Sequence, residues 1–147
     1  MQSPMKIDIA SHSAYRAMSG VEKQLANCSI EKPLRELIKL RVSQINGCAF
    51  CLDMHWKEAR KDGETEERLY SLPAWRECPY YTERERAGLL LAEELTRIAD
   101  RPLPAEIHAQ IAEQFNEEEI GDLIWTIAAI NTWNRVNVGA GTPPGGH

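Results

Sequence analysis

The chain has 147 residues, of which 43% are apolar and 27% charged, and its formal net charge is −5. This balance is typical of one soluble globular domain and excludes a chain that is disordered throughout. Lysine and arginine residues are spread along the sequence without a basic stripe, so we expect no nucleic-acid partner. The longest apolar run, residues 88–92, is far shorter than the ~20 residues of a membrane span. The first six residues lack the apolar centre of a secretory signal, which favours a cytoplasmic protein.

The first half of the chain shows helical spacing of apolar residues and no convincing period of two. We predict a helix from Tyr15 to Asn27 and a second from Pro33 to Gln44, since proline is tolerated in the first helical turn. Asn46 and Gly47 then predict a stop, because both tolerate the left-handed conformation at a helix end.

The middle of the chain continues in the same way. A helix is predicted from about Cys48 to Lys61, closed by Asp62–Gly63. Thr65 is expected to cap a short helix that runs through Leu72. The segment Pro73–Tyr81 is expected to be an irregular connector.

Two capping boxes begin helices in the second half, one formed by Thr82 and Glu85 and one suggested by Asn116 and Glu119. Between them lies a predicted helix from Pro104 to Phe115. The inward faces of these three helices would comprise Ala87, Leu91, Leu95, Ile98, Ile107, Ile111, Phe115, Ile120, Leu123, Ile124, Ile127, Asn131, Asn134 and Val138. The sequence therefore predicts an all-α fold in one domain, residues 1–138, followed by a flexible Gly- and Pro-rich tail, residues 139–147.

The chemistry is concentrated in Cys48, Cys51 and His55. On a helix these positions are related by three and four residues, so all three share one face. Cys48 falls at the helix start, where free N–H groups lower the pKa of a thiol from ~8.5 toward ~3.5–7.5. His55 can exchange a proton with Cys51. Two thiols and a base together support a cycle in which one thiolate attacks an electrophile and the other closes a disulfide.

The spacing of the two cysteines carries a conflict. Cβ atoms at i and i+3 on a helix are roughly 5–6 Å apart, whereas a disulfide requires about 3.5–4.5 Å. We therefore expect the bridge to strain or unwind the first turn, which suits a bond that is made and broken in each cycle.

Glu36 is the fourth candidate, on the preceding predicted helix at the edge of its apolar face. The short break at Asn46–Gly47 would fold the two helices against each other, so that this carboxyl group points at the thiols and relays protons. The alternative is that Glu36 is a solvated helix residue paired with Lys39 or Lys32.

These four residues reproduce the pattern E-x11-C-x2-C-x3-H, from Glu36 through Cys48 and Cys51 to His55. In this the chain resembles the alkylhydroperoxidase AhpD-like core within the carboxymuconolactone decarboxylase family. The resemblance is strongest from Leu34 to Ala59 and extends more loosely through Leu95.

The resemblance implies an all-helical protein that assembles into trimers or hexamers and reduces hydroperoxides without a cofactor. Its electrons would come from a dithiol or lipoyl-type reductant protein. Carried over from the family, Cys51 is the peroxidatic thiol, Cys48 resolves the intermediate and meets the reductant, and Glu36 and His55 form the proton relay. Helix-terminus electrostatics instead makes Cys48 the more acidic thiol, so the roles of the two cysteines stay open at this point.

The chain departs from the family pattern in two respects. Phe50 stands where the best-studied AhpD proteins have a histidine, which leaves the efficiency of peroxide chemistry open. The chain is also shorter than two-repeat members, so oligomerisation would have to supply the missing surface. The cysteine pair argues against lactone decarboxylation, because decarboxylases of the superfamily generally lack it.

Three other interpretations remain. Cys48 and Cys51 could be buried structural thiols. Together with His55 and either Cys28 or Cys78 they could form a structural zinc site. The thiols could also serve as a redox switch in a non-catalytic helical assembly.

For the remaining candidates we expect structural roles. Cys28 and Cys78 are assigned no part in turnover. Trp56 either borders a substrate pocket or, more commonly for a tryptophan, packs. Asn131 and Asn134 either tie the last helix to a neighbour or border the pocket, and the structural role is expected. The remaining histidines, expected at the surface or in the tail, are His12, His108 and His147.

Overall fold

The computed structural model describes residues 4–145, and this part of the chain is helical, with no β-strand. The helices, in chain order, are α1 (Ile7–Ala10), α2 (His12–Leu25), α3 (Lys32–Asn46), α4 (Ala49–Lys61), α5 (Glu66–Tyr70), a 3-10 helix (Leu72–Glu77), α6 (Glu83–Thr96), α7 (Ala105–Ala112) and α8 (Glu117–Ala140). The all-α expectation is confirmed. None of the helices in residues 4–145 is long and apolar enough to cross a membrane.

Helix α3 lies at the centre and packs against α4, α6 and α8. It is buried on two sides because apolar residues occupy two stripes along it. Leu34 and Ile38 face a core shared with α6, α7 and α8, whereas Leu37 and Leu40 face a second core built with α4, α5 and the 3-10 helix. Gly88 lets α6 approach α3 closely, since a Cβ there would lie 3.2 Å from Leu34 Cδ1.

The predicted helix ends agree with the structure where a cap marks them. Both capping boxes are present, with Thr82 and Glu85 before α6 and with Asn116 and Glu119 before α8. Thr65 caps α5 through a hydrogen bond to the N–H of Arg68.

Several elements differ from the sequence-based expectations. The segment Pro73–Tyr81 is not wholly irregular, because the 3-10 helix occupies Leu72–Glu77, and α5 ends at Tyr70 instead of Leu72. Ile98 does not face the core: α6 ends before it and its side chain is 56% exposed. Helix α2 begins at His12, and the additional helix α1 precedes it.

The last helix also extends further than predicted. Its final residues, Gly139 and Ala140, fall in the segment expected to be a tail, and Ala140 is buried. Ala140 accepts a hydrogen bond from the N–H of Met5, and the N–H of Gly145 donates to Asp53. The described end of the chain is therefore in contact with both the N-terminal segment and α4. Gly146 and His147 lie outside the described residues.

Candidate functional site

A tight turn between α3 and α4 sets the geometry of the site. Gly47 has φ +67°, a left-handed conformation in which a side chain would be strained, and it ends α3 as predicted. The chain then turns back, so that α4 packs along α3. Residues 19 positions apart, such as Glu36 and His55, are thereby brought into contact.

The two cysteines of the turn are joined by a disulfide, with Cα atoms 5.3 Å apart. Cys48 does not belong to the helix but caps it, with an extended backbone at φ −89° and ψ 96°. This position resolves the conflict in spacing, because only Cys51 is constrained to helical geometry. The N–H of Cys51 donates a hydrogen bond to Cys48 Sγ at 3.3 Å, and each cysteine is only 1% exposed.

Glu36 and His55 form a buried pair, with Glu36 Oε2 3.2 Å from His55 Nδ1. The other carboxyl oxygen, Oε1, lies 3.7 Å from the Nζ of Lys39. The expectation of a solvated Glu36 is wrong, because the residue is buried, whereas its pairing with Lys39 is present beside the contact with His55. Lys32 pairs instead with Glu58 and Asp62.

Opposing effects act on the Glu36 carboxyl group. Burial raises its pKa, but the hydrogen bond with His55 and the nearby charges of His55, Lys39 and Lys32 outweigh burial, so that the net pKa lies below the ordinary value. An ionised Glu36 accepts a hydrogen bond, which places the proton of His55 on Nδ1. Nε2 of His55 is then the ring nitrogen that remains to exchange a proton with another group.

A further ion pair continues from Glu36 toward α2 and α8. Lys39 Nζ lies 3.0 Å from Glu22 Oε1, and the indole Nε1–H of Trp133 donates to Glu22 Oε2 at 3.2 Å. Sequence analysis did not identify Glu22 or Trp133, because their positions are 111 residues apart and nothing local in the sequence relates them.

A cavity of about 680 Å³ opens beside this pair, and its wall is mainly apolar. Cys51, His55 and Lys39 all line it, together with apolar residues that include Tyr15, Phe50, Met54, Ile130 and Trp133. Among the described residues, Cys51 contributes to the lining and Cys48 does not. Asn137, also in the wall, has its Nδ2 4.0 Å from Cys51 Sγ and was not predicted as a site residue.

The asparagines of α8 have the expected structural role. Asn46 Nδ2 donates to Asn131 Oδ1 at 2.9 Å and to Asn134 Oδ1 at 3.0 Å, and Asn134 Nδ2 donates to Ser43 Oγ at 2.9 Å. Asn134 is fully buried. The network ties α8 to the end of α3, directly before the turn that carries the cysteines.

The other candidates lie apart from the disulfide. Cys28 and Cys78 are free thiols that pack against different cores. No group of three His, Cys, Asp or Glu side chains within residues 4–145 is arranged to hold a metal ion, so the four-ligand arrangement considered above is not found there. Trp56 is 41% exposed and does not line the cavity. His12 and His108 are exposed, as expected, whereas His147 lies outside the described residues.

Comparison with known proteins gives matches over most of the chain. Residues 12–94 match the carboxymuconolactone decarboxylase family. The uncharacterised protein YdfG of Bacillus subtilis is 47% identical over 126 residues, which is 86% of either chain. The alkyl hydroperoxide reductase AhpD of Hyphomonas neptunium is 49% identical over 45 residues, which cover 31% of this chain and 25% of that protein.

Solved structures show the same fold. ATU0492 is a protein of unknown function from Agrobacterium tumefaciens that has been grouped with the antioxidant defence protein AhpD. It has 39% identity and a TM-score of 0.94, over 99% of this chain and 100% of its own. The debrominase Bmp8, in complex with 2,3,4-tribromopyrrole, has 20% identity and a TM-score of 0.80, over 90% of this chain and 71% of its own. At that identity the likeness concerns the fold alone.

Proposed function

The chain belongs to the carboxymuconolactone decarboxylase family, and we propose that it is a thiol-dependent reductase of organic hydroperoxides. The observation that carries the proposal is the convergence of the Cys48–Cys51 disulfide and the buried Glu36–His55 pair beside one cavity. A redox-active dithiol needs a base that can accept and return a proton, and this pair supplies one.

In the proposed cycle the reduced Cys51 gives its thiol proton to Nε2 of His55. The resulting thiolate attacks the outer oxygen of the hydroperoxide, the O–O bond breaks, and the alkoxide takes the proton to leave as an alcohol. Cys51 is then a sulfenic acid. The Cys48 thiol gives up its proton and attacks the Cys51 sulfur, the leaving hydroxide takes that proton to become water, and the Cys48–Cys51 disulfide forms. An external dithiol returns the two electrons and two protons.

The cavity favours an organic hydroperoxide over hydrogen peroxide. Its volume of about 680 Å³ lies within the range of ~300–1,000 Å³ that small-molecule sites occupy. Apolar side chains cover most of its wall, so that an alkyl or aryl substituent would be desolvated on binding. Cys51 lies in the same wall, where its sulfur would contact the O–O group of the substrate.

We further propose that the protein works as a homo-oligomer, a trimer or hexamer. Three large apolar side chains on α8 are strongly exposed in the single chain: Ile124 at 44%, Trp125 at 62% and Val138 at 55%. The sequence analysis expected Ile124 and Val138 to face inward, and their exposure is consistent with a helix covered on its outer side by another copy.

A steady-state assay with an organic hydroperoxide and an excess of a dithiol tests the proposed function. Many turnovers per protein are expected, and Cys48→Ser and Cys51→Ser should each abolish them. Cys28→Ser and Cys78→Ser are the matched controls and should retain activity, because neither thiol lies at the site. Oxidation that stops after one equivalent of peroxide would favour a redox switch. Full activity in the Cys48→Ser and Cys51→Ser proteins would exclude the mechanism.

A further inference from the structure

The disulfide presents its two sulfurs to different surroundings, although both are equally buried. Cys51 lines the wall of the 680 Å³ cavity, whereas Cys48 lies at the turn and does not contribute to the described lining. A thiolate that breaks a disulfide approaches one sulfur along the S–S axis and expels the other. An attacker inside the cavity therefore reaches Cys51, and the sulfur that it expels is that of Cys48.

The surroundings of Cys48 also suit a leaving group. Its Sγ accepts a hydrogen bond from the N–H of Cys51 at 3.3 Å, and it caps the N-terminus of α4, a helix of 13 residues. A free N–H and the positive end of the helix dipole stabilise a thiolate there. Because the thiol with the lower pKa leaves faster in exchange, this effect favours the same direction as access through the cavity.

We propose that the external dithiol reduces the protein by attacking Cys51, with Cys48 as the leaving thiolate. The inference rests on the proposed function, which supplies the biological reductant. The thiol–disulfide exchange itself requires no peroxide. This direction of attack differs from the roles that the family resemblance implies, in which the reductant reacts with Cys48.

The exchange balances in two steps. One thiolate of the reductant bonds to Cys51 Sγ, the S–S bond breaks, and Cys48 receives the electron pair. The second thiol of the reductant loses its proton and attacks the reductant's own first sulfur. This closes an oxidised cyclic reductant and releases Cys51 as a thiolate. Cys51 then faces the cavity in the form that attacks a hydroperoxide, so the reductant and the peroxide use one cavity in turn.

The test uses the native, oxidised protein and a small monothiol, 2-mercaptoethanol. After a brief reaction, iodoacetamide alkylates the sulfur that was expelled, and the chain is digested with trypsin. Both cysteines fall in the peptide of residues 42–57, between Arg41 and Lys57. Cleavage of this peptide in the mass spectrometer between Ala49 and Phe50 separates Cys48 from Cys51, so that each adduct is assigned to one sulfur.

The expected result is a mercaptoethanol disulfide on Cys51 and an alkylated Cys48, in roughly fivefold or greater excess over the reverse at the earliest times. The same reaction in urea-denatured protein is the matched control, in which the preference should disappear because both the cavity and the helix are lost. Adducts mainly on Cys48, or in equal amounts on both cysteines of the native protein, would overturn the inference. Absence of hydroperoxide turnover would instead contradict the proposed function and leave this result intact.

Discussion

Glu36 Oε2 lies 3.2 Å from His55 Nδ1, and Glu36 Oε1 lies 3.7 Å from Lys39 Nζ, so each oxygen of one buried carboxyl group has its own partner. The carboxylate thereby holds the ring of His55 in one tautomer, while the ammonium group offsets the cost of burying a negative charge. The proposed transfer of a proton from Cys51 to His55 depends on this arrangement.

Glu36→Gln is predicted to lower kcat/KM for hydroperoxide reduction by about 10²–10⁴-fold. Glutamine keeps the size of the side chain but carries no negative charge, so it cannot stabilise the positive charge that His55 acquires when Nε2 takes the thiol proton. The disulfide should still form, but slowly. Glu58→Gln, an exposed change on α4, is the control, and equal activity in the two variants would contradict the relay.

Lys39→Met is predicted to move the acid limb of the pH–rate profile to higher pH. The positive charge of Lys39 lowers the pKa of Glu36, so its removal raises that pKa and a higher pH is needed to ionise the carboxyl group. Activity on the alkaline side should change little, and Lys39→Arg should restore the profile.

The matched control for this change of charge is Lys61→Met, at the exposed end of α4. Its pH–rate profile should coincide with that of the unsubstituted protein. An acid limb that is identical in the Lys39→Met and Lys61→Met proteins would show that Lys39 does not act on Glu36.

Asn134→Ala is predicted to lower the free energy of unfolding by about 1–3 kcal/mol. The change removes the oxygen that accepts a hydrogen bond from Asn46 and the N–H group that donates to Ser43. The side chain of Asn134 that carries both groups is fully buried. Urea denaturation measures the effect, with Asn27→Ala at an exposed position as control. A loss no larger than that of the control would mean that the network does not hold α8 to α3.

Trp125→Glu is predicted to reduce the mass of the protein in sedimentation equilibrium. A charge among the exposed apolar side chains of α8 would have to be desolvated in an interface between copies. Tyr70→Glu, on α5 at 70% exposure, is the control and should leave the mass unchanged. An oligomer that survives Trp125→Glu would place the interface elsewhere.

Local signals in the sequence predicted much of the fold and of the site. Capping residues such as Thr82 and Asn116 identify helix starts because they satisfy neighbouring N–H groups, and Gly47 identifies the turn because it tolerates a positive φ. The position of Glu36 beside α4 was also predictable, because the short turn folds two adjacent helices against each other. Its direct contact with His55 was not predicted from the residues, since the carboxyl group was expected to point at the thiols.

Contacts that depend on tertiary packing were not predictable in this way. Glu22 on α2 pairs with Lys39, and Trp133 on α8 donates a hydrogen bond to Glu22. No spacing rule relates helices so distant in the chain. Ile124 was predicted to face inward because it is apolar at helical spacing, but such a pattern cannot distinguish a core from a surface that another copy covers.

The most direct test of the central claim is the intact mass of fully reduced protein before and after one equivalent of an organic hydroperoxide. The account predicts a loss of two hydrogen atoms, located in the peptide of residues 42–57 as a Cys48–Cys51 disulfide, and no such loss in Cys51→Ser. An unchanged mass, or addition of oxygen elsewhere in the chain while both thiols remain free, would contradict it.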